Sequence, residues 1–359
     1  MSILKSLTVA ICGFLGLAST APAAMAQDAP ILIRYTTSQP PGSPTSAPVA
    51  WFGEELEKRT NGRVKVQFFW GGALVKSPDT LNAVANGLVE MGKIYALDFK
   101  GPLPLWNVGN QAFTSSDPYV SMMIQRTLRK EFPEFNAETD RVGVIVLGGL
   151  STGGAGLLST KPITKLSELK GSKIRSVGAQ AEALKAVSAI PVSVPFAEVY
   201  EAFQHGVIDT STNYENSIIP YRYNEVANNF TYVPLGQSVQ GEIINKAFWE
   251  KLPDDIKTVI QETMDDMHLK YIQDYNLSAQ EIHRKLAEGD GTPKVNFHEF
   301  SEEDIAEWKS IFPDPLAAWA KANAKLGDTE AMAKRYRELE EQLTAEVEAN
   351  GYPKDKFGG

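Results

Sequence analysis

The sequence predicts an α/β fold of two lobes, arranged as a clamshell with hinge crossovers and a long connecting helix. Three observations carry this reading. Residues 31–97 alternate short apolar strands with amphipathic helices. Residues 157–234 repeat the alternation after a glycine-rich bend. A charged amphipathic run over residues 252–287 is long enough to be a single extended helix.

The chain has 359 residues. It opens on a stretch with the character of a secretory signal peptide. Lys5 supplies a positive start, residues 7–17 are apolar, and Ala24-Met25-Ala26 is a small-residue cleavage site, with the cut expected after Ala26. The apolar run is too short to span a bilayer. Cys12, the single cysteine, lies within it, so the exported protein is expected to hold no disulfide. About 330 residues remain, too many for one compact core.

Residues 31–36 alternate as a strand. Residues 38–48 form a loop rich in Pro, Ser and Gly. Residues 48–60 read as a helix with Trp51, Phe52 and Leu56 inward and Asn61-Gly62 as its C-terminal stop. Residues 63–70 alternate as a second strand. Ser77-Pro78 opens the next helix, with Ser as cap and Pro in the first turn, and residues 92–97 form a third strand. This β-α-β-α-β order predicts a largely parallel sheet. The apolar strand over 141–149 leads to the first crossing between lobes, and Gly236-Gln237 marks the return. Residues 301–350 are helical, broken at Pro313-Asp314-Pro315. Lobe I is therefore expected to comprise residues 27–148 and about 236–277, and lobe II about 149–235 and 278–359.

The formal net charge is −9. Lys5 leaves with the leader, which makes the exported chain one unit more negative. An acidic exterior argues against nucleic acid or an anionic membrane as partner. It does not exclude an anionic ligand, because a local arginine decides the field inside a cleft. No segment after the leader is apolar enough to cross a membrane.

Residues 171–213 carry the candidate site. Arg175 ends one short strand and Asn213 lies just past another. In an open α/β sheet such positions face the ligand crevice, and an arginine there is suited to gripping a carboxylate with two parallel hydrogen bonds. A lone strand arginine is otherwise a surface ion pair, and Asn213 is otherwise a turn residue. Phe196 is either a ligand contact or core, given the helical spacing of Phe196, Val199, Tyr200 and Phe203. Ser151 and Thr152 in the glycine-rich bend could donate to a ligand. That bend lacks the Lys and Ser/Thr of a phosphate loop, so the glycines are assigned to a hinge. Trp70, Thr37 and Ser38 are placed on the opposite lobe, with Tyr214 as a further wall. His268 and His283 are read as solvated on a charged helix face.

These segments also carry a resemblance. NGRVKV at 61–66 with GGAL at 71–74, KPITKLSELKGSKIR at 161–175, VPFAEVYEAFQHGVID at 194–209 with Asn213, and WEKLP at 249–253 together resemble the dicarboxylate-type (DctP) solute-binding proteins of TRAP transporters. The resemblance implies a periplasmic-binding-protein-like clamshell that is not an enzyme. It implies a receptor in the periplasm that hands organic anions to membrane permease subunits. It also implies that Arg175 pairs with the ligand carboxylate, that Asn213 hydrogen-bonds the same group and that Phe196 packs against the ligand. Two departures narrow the expectation. Residues 151–156 hold no basic side chain where many members carry a further arginine, which favours a monocarboxylate with an apolar, aromatic or hydroxylated body. Thr212 stands where the metal-holding branch uses an acid, so neither a metal nor another cofactor is expected.

Other classes remain in view. An exported enzyme would need a nucleophile–base or two-carboxylate constellation, and the sequence shows neither a G-x-S-x-G nor an H-E-x-x-H pattern. A receptor for a sulfonate or sugar acid, or a protein acting through an acidic docking surface, are the further alternatives.

Overall fold

The computed structural model describes residues 29–354. The expected cleavage site after Ala26 lies outside the described residues. Two sheets form the two lobes. The first contains β1 (Ile31–Thr36), β2 (Val64–Phe69), β3 (Met91–Tyr95), β4 (Val144–Gly148) and, much later in the chain, β10 (Gln240–Asn245). The second contains β5 (Ala155–Ser159), β6 (Lys173–Arg175), β7 (Ile190–Val192), β8 (Thr210–Tyr214), β9 (Asn229–Tyr232) and β11 (Asn296–Glu299).

In the first sheet the order is β2-β1-β3-β10-β4. β1, β2 and β3 are parallel, as the β-α-β-α-β pattern predicts, and β10 is inserted antiparallel between β3 and β4. Alternation in β1 buries Ile33 and Tyr35 while Leu32 stays 49% exposed, the period-2 signature of a strand packed on one face. The buried pair joins Phe52 and Leu56 of the helix Ala47–Arg59 and Ile256, Ile260 and Met264 of the long helix. In the second sheet the order is β11-β9-β5-β8-β6-β7, with β6 parallel to both β7 and β8.

The chain passes from the first sheet to the second between β4 and β5 and returns between β9 and β10. The two crossovers lie side by side and are joined by a bridge between Ser151 and Val239. A third connection is the helix Asp254–Glu288, 35 residues long. Its first half packs in the core of the first sheet and its end, through Ile282 and Leu286, in a core of the second. At about 1.5 Å per residue it spans both lobes.

The C-terminal tail departs from the expected division. Trp308, in the helix Glu302–Ile311, packs with the second lobe. The helices Pro315–Asn323 and Thr329–Asn350 instead bring Trp319, Met332, Tyr336 and Leu339 into one cluster with Ile94, Val144 and Ile243 of the first sheet. Residues 278–359 are thus shared between the lobes rather than wholly on the second. The amphipathic pattern correctly marks an apolar stripe that must be covered. It does not say which lobe covers it. The break over 313–315 is the fourth crossing.

Glu138, on the helix Glu134–Arg141, is 2% exposed. It accepts hydrogen bonds from the backbone N–H of Leu105 (2.8 Å) and Trp106 (3.2 Å). Burial pushes its carboxyl up to about 7, against the pull of those two donors. A carboxyl raised on folding favours the protonated form, so the stability it lends is complete below the unfolded carboxylate range and is lost as pH rises through about 7. Glu138→Gln removes the titration and keeps one of the two acceptor oxygens, so it carries a constant, pH-independent cost from the N–H left facing its amide nitrogen. The melting-temperature difference, variant minus wild type, is expected to grow between about pH 5 and about pH 8; a difference independent of pH would contradict the assignment.

Candidate functional site

The strand ends create a cleft between the lobes. On the first lobe it is walled by the loop after β1, with Gln39, Ser43 and Thr45, and by the segment after β3, with Tyr95, Leu97 and Asp98. On the second lobe it is walled by Arg175 at the end of β6, by Phe196 beyond β7, and by Tyr214, Asn216 and Ser217 where β8 ends. Thr152, Ser238 and Gln240 from the two crossovers form the back. Carboxyl ends of parallel strands are where an α/β sheet leaves backbone groups and side chains free to meet a ligand. The lobes touch across the opening. Tyr221 Oη donates to the Ser38 carbonyl (3.4 Å), and Lys100 pairs with Glu182 (3.6 Å). The space left is narrow, about 60 Å³.

Arg175 is 4% exposed. Its Nε donates to the Val194 carbonyl (2.8 Å), and its guanidinium carbon lies 5.4 Å from the centre of the Phe196 ring. These two contacts fix the plane of the fork. Among the described residues it makes no ion pair. Burial pulls its affinity for the proton down, and Tyr223, Asp98 and Tyr214 oppose this. Such a cation gains strongly from an anionic partner in a water-poor site.

Asn213 sits two residues beyond the point where β8 pairs with Arg175, since Arg175 aligns with Ser211. It is fully buried. Its Oδ1 accepts from the Tyr214 N–H (2.8 Å) and from Ser217 Oγ (2.5 Å), while its Nδ2 is buried with no protein acceptor. The amide is therefore oriented with its donor side uncommitted. It stands behind Tyr214 and Ser217 rather than in the cleft wall itself.

An aromatic box adjoins the arginine. Phe196 meets Tyr221 edge-on (5.1 Å) and Tyr223 edge-on (5.7 Å), and Tyr221 stacks on Tyr223 (5.3 Å). Tyr223 Oη donates to the Phe196 carbonyl (2.7 Å) and holds the box in place. Tyr214 Oη accepts from Gln180 Nε2 (3.0 Å), and burial pushes its phenol up to about 12. Burial raises all three phenols, so they stay protonated at ordinary pH, and Tyr221 and Tyr223 already donate to the Ser38 and Phe196 carbonyls. Asp98, opposite Arg175 at the mouth, accepts from Ser77 Oγ (2.7 Å).

Four of the sequence-predicted residues, Arg175, Phe196, Thr152 and Tyr214, line this cleft. The others do not. Trp70 stacks on Phe68 (4.9 Å) at the edge of the first core. Thr37 is buried and accepts from the Gln39 N–H (3.2 Å). Ser38 faces a side groove with Gly71 and Ser77. Ser151 bonds Gln237 and accepts at its carbonyl from Tyr271 Oη (2.5 Å), which makes it part of the crossover framework. His268 is not solvated: it is 2% exposed, beneath Gly148. His283 is solvent-facing and pairs with Glu215 (2.8 Å). Gln240 was open to detection, because polar Gln240 and Glu242 alternate with Gly241 and Ile243 in an otherwise apolar strand. The loop residues Gln39, Ser43 and Thr45 carry no such signal.

The sequence profile described as bacterial extracellular solute-binding protein, family 7 (DctP) matches residues 35–323. The chain belongs to this family. Among curated relatives it is similar to the C4-dicarboxylate-binding periplasmic protein DctP of Rhodobacter capsulatus, at 29% identity over 292 residues, 79% of this chain and 84% of the relative. Among solved structures it is similar to a TRAP periplasmic solute-binding protein of Bordetella bronchiseptica with bound mandelate. That match has a TM-score of 0.78 and 22% identity, and covers 88% of this chain and 100% of the other. It is similar to a TRAP solute-binding protein of Rhodoferax ferrireducens in complex with benzoate, with a TM-score of 0.78 and 18% identity, covering 88% and 99%. At these identities the two structures establish the shared two-lobed fold. Among the described residues of this DctP-family chain, no helix is long and apolar enough to cross a membrane, and no group of three or more His, Cys, Asp or Glu is placed to hold a metal ion.

Proposed function

We propose that this protein is the extracytoplasmic receptor of a TRAP transporter. It captures a small organic monocarboxylate in the periplasm and delivers it to membrane permease subunits. The observation that carries the reading is Arg175: a buried guanidinium at a strand end, oriented by Val194 and Phe196, with no ion-pair partner among the described residues. The ligand carboxylate bonds its outer N–H groups, and Asn213 orients the same end of the ligand through Tyr214 and Ser217. Family membership supports the receptor class. The N-terminal leader pattern supports export.

A monocarboxylate is favoured because no second cation lines the cleft among the described residues, and Asp98 at its mouth repels a second carboxylate. The box of Phe196, Tyr214, Tyr221 and Tyr223 offers an apolar face, with the Tyr214 hydroxyl as a donor beside it, suited to an aromatic or hydroxylated body. Mandelate and benzoate in the two similar structures have this chemistry. None of the four histidines lines the cleft, and the reading is of binding and release without chemistry. A thermal-shift screen tests it. A ligand at about 100 times its dissociation constant stabilises by about 2.7 kcal/mol, and aromatic and hydroxy monocarboxylates are expected to lead the ranking. A dicarboxylate or sulfonate at the top would overturn the specificity. Turnover of the bound acid by purified protein would overturn the receptor.

A further inference from the structure

The first lobe has a second cavity, of about 300 Å³, on the far side of the crossovers from the cleft. It lies between the helix Pro118–Glu131, β4, the start of β10 and the middle of the long helix. Gly148, Gly149 and Leu150 of the first crossover and Val239 of the second form one wall. Gln240 lines both this cavity and the ligand cleft.

Its polar groups are buried and uncommitted. Trp106 Nε1, Ser121 Oγ, both side-chain ends of Gln125 and Gln240, and His268 Nε2 find no protein partner, although each of these residues is at most 6% exposed. A buried polar group without a partner is costly, and five residues with such groups border this one cavity. Gly148 is required for this arrangement, since a Cβ there would lie 2.0 Å from the His268 ring.

Arg129 supplies the charge. Its Nη2 donates to the Val146 carbonyl (2.7 Å) and its guanidinium carbon stands 5.5 Å from the Trp106 ring, but its Nε has no partner. No acidic side chain among the described residues pairs with it. Burial and the neighbouring charge of Arg126 push it down to about 10. Arg126 itself is neutralised by Asp265 (2.8 Å), and Lys130 adds a cation at the exposed rim. His268 is held neutral by burial, at about 3. The cavity therefore presents a guanidinium and several neutral donors, with no carboxylate of its own. Arg129 is half-buried, and a partly desolvated cation without an acidic partner gains from an anion.

We propose that this cavity is a second, independent site for a small oxyanion, either a carboxylate or a sulfate-like ion, with Arg129 as its charged anchor and Trp106, Ser121 and Gln125 as donors. The site does not depend on Arg175. The test uses the full exported chain in an Arg175→Gln background, where the cleft is disabled. Sulfate is expected to raise the melting temperature by a few degrees beyond chloride at matched ionic strength, and Arg129→Gln is expected to remove that shift. Acetate in place of sulfate separates an organic from an inorganic occupant. A sulfate and acetate response no greater than chloride, or one that survives Arg129→Gln, would overturn the site. A selenate soak of wild-type crystals covers the case of a variant that does not fold: an anomalous peak beside Arg129 supports the site, and none there overturns it.

Discussion

Arg175→Ala is expected to weaken ligand binding by at least tenfold while the protein stays folded. The proposed contact is a charge-assisted pair with the ligand carboxylate inside the cleft, and removing one partner of such a pair costs roughly 2–5 kcal/mol of binding. The fold does not depend on it, because the guanidinium makes one backbone hydrogen bond and one ring contact and is otherwise an uncompensated buried charge. Deleting it relieves that charge in the unliganded protein. Arg175→Lys sharpens the point. It restores the charge but neither the fork nor the guanidinium contact with the Phe196 ring, so affinity is expected to fall between wild type and the alanine variant. Calorimetry with the best ligand from the thermal-shift screen decides the matter. Unchanged affinity in the alanine variant would remove Arg175 from the site.

The larger effect on stability is expected one layer beneath the cleft. Lys93 on β3 faces Glu242 on β10, directly opposite in register, and the pair is fully buried (3.1 Å). Tyr35 Oη donates to the other carboxylate oxygen (2.7 Å), and Lys93 Nζ reaches the Thr45 carbonyl in the cleft loop (3.4 Å). Burial pulls Lys93 down from its ordinary range, and Glu242 holds it up. Glu242→Gln strands the ammonium, and breaking a buried pair in this way costs about 3–5 kcal/mol. Deprotonation of Lys93 is its escape, so the variant is expected to recover stability as pH rises: a lysine depressed on folding binds fewer protons in the native state than in the unfolded one. The double variant Lys93→Met with Glu242→Leu is expected to recover part of the loss, because the apolar pair needs no compensation while the buried Tyr35 hydroxyl loses its acceptor. Denaturant midpoints for the single and double variants measure both claims. A single variant as stable as wild type would show that the pair is not what holds the cleft loop to the sheet.

The lobes, their crossovers and the long helix were legible because each rests on a period in the sequence, 2 for strands and 3.6 for helices. Strand ends then point to Arg175 and Asn213, since the end of a strand is a fixed place in the fold, and the resemblance adds Phe196; of these, Arg175 and Phe196 line the cleft and Asn213 stands behind its wall. What period cannot convey is the partner of a face. Trp70 ends a strand as Arg175 does, yet Phe68 is available to stack on it and it turns to the core edge. His268 lies in a charged stretch of helix, but its own position faces inward between Gly148 and the cavity beyond. Gln39, Ser43 and Thr45 resemble solvent-facing loop residues until the opposing lobe covers them. The cleft is made by two segments far apart in the chain, and only the assembled structure brings them face to face.

The return of the last helices to the first lobe bears on how the chain acquires its structure. Ile94 and Val144 share a core with Trp319, Met332 and Tyr336. Nearly the whole chain must therefore be present before the first-made strands can finish burying their apolar faces. Local hairpins and helix pairs can form early, but neither lobe is a contiguous segment that can mature alone. Contacts of such long sequence separation slow folding, because loop-closure entropy is lost before the contacts reward it. The first lobe's core thus closes only when the last helices of the chain are in place.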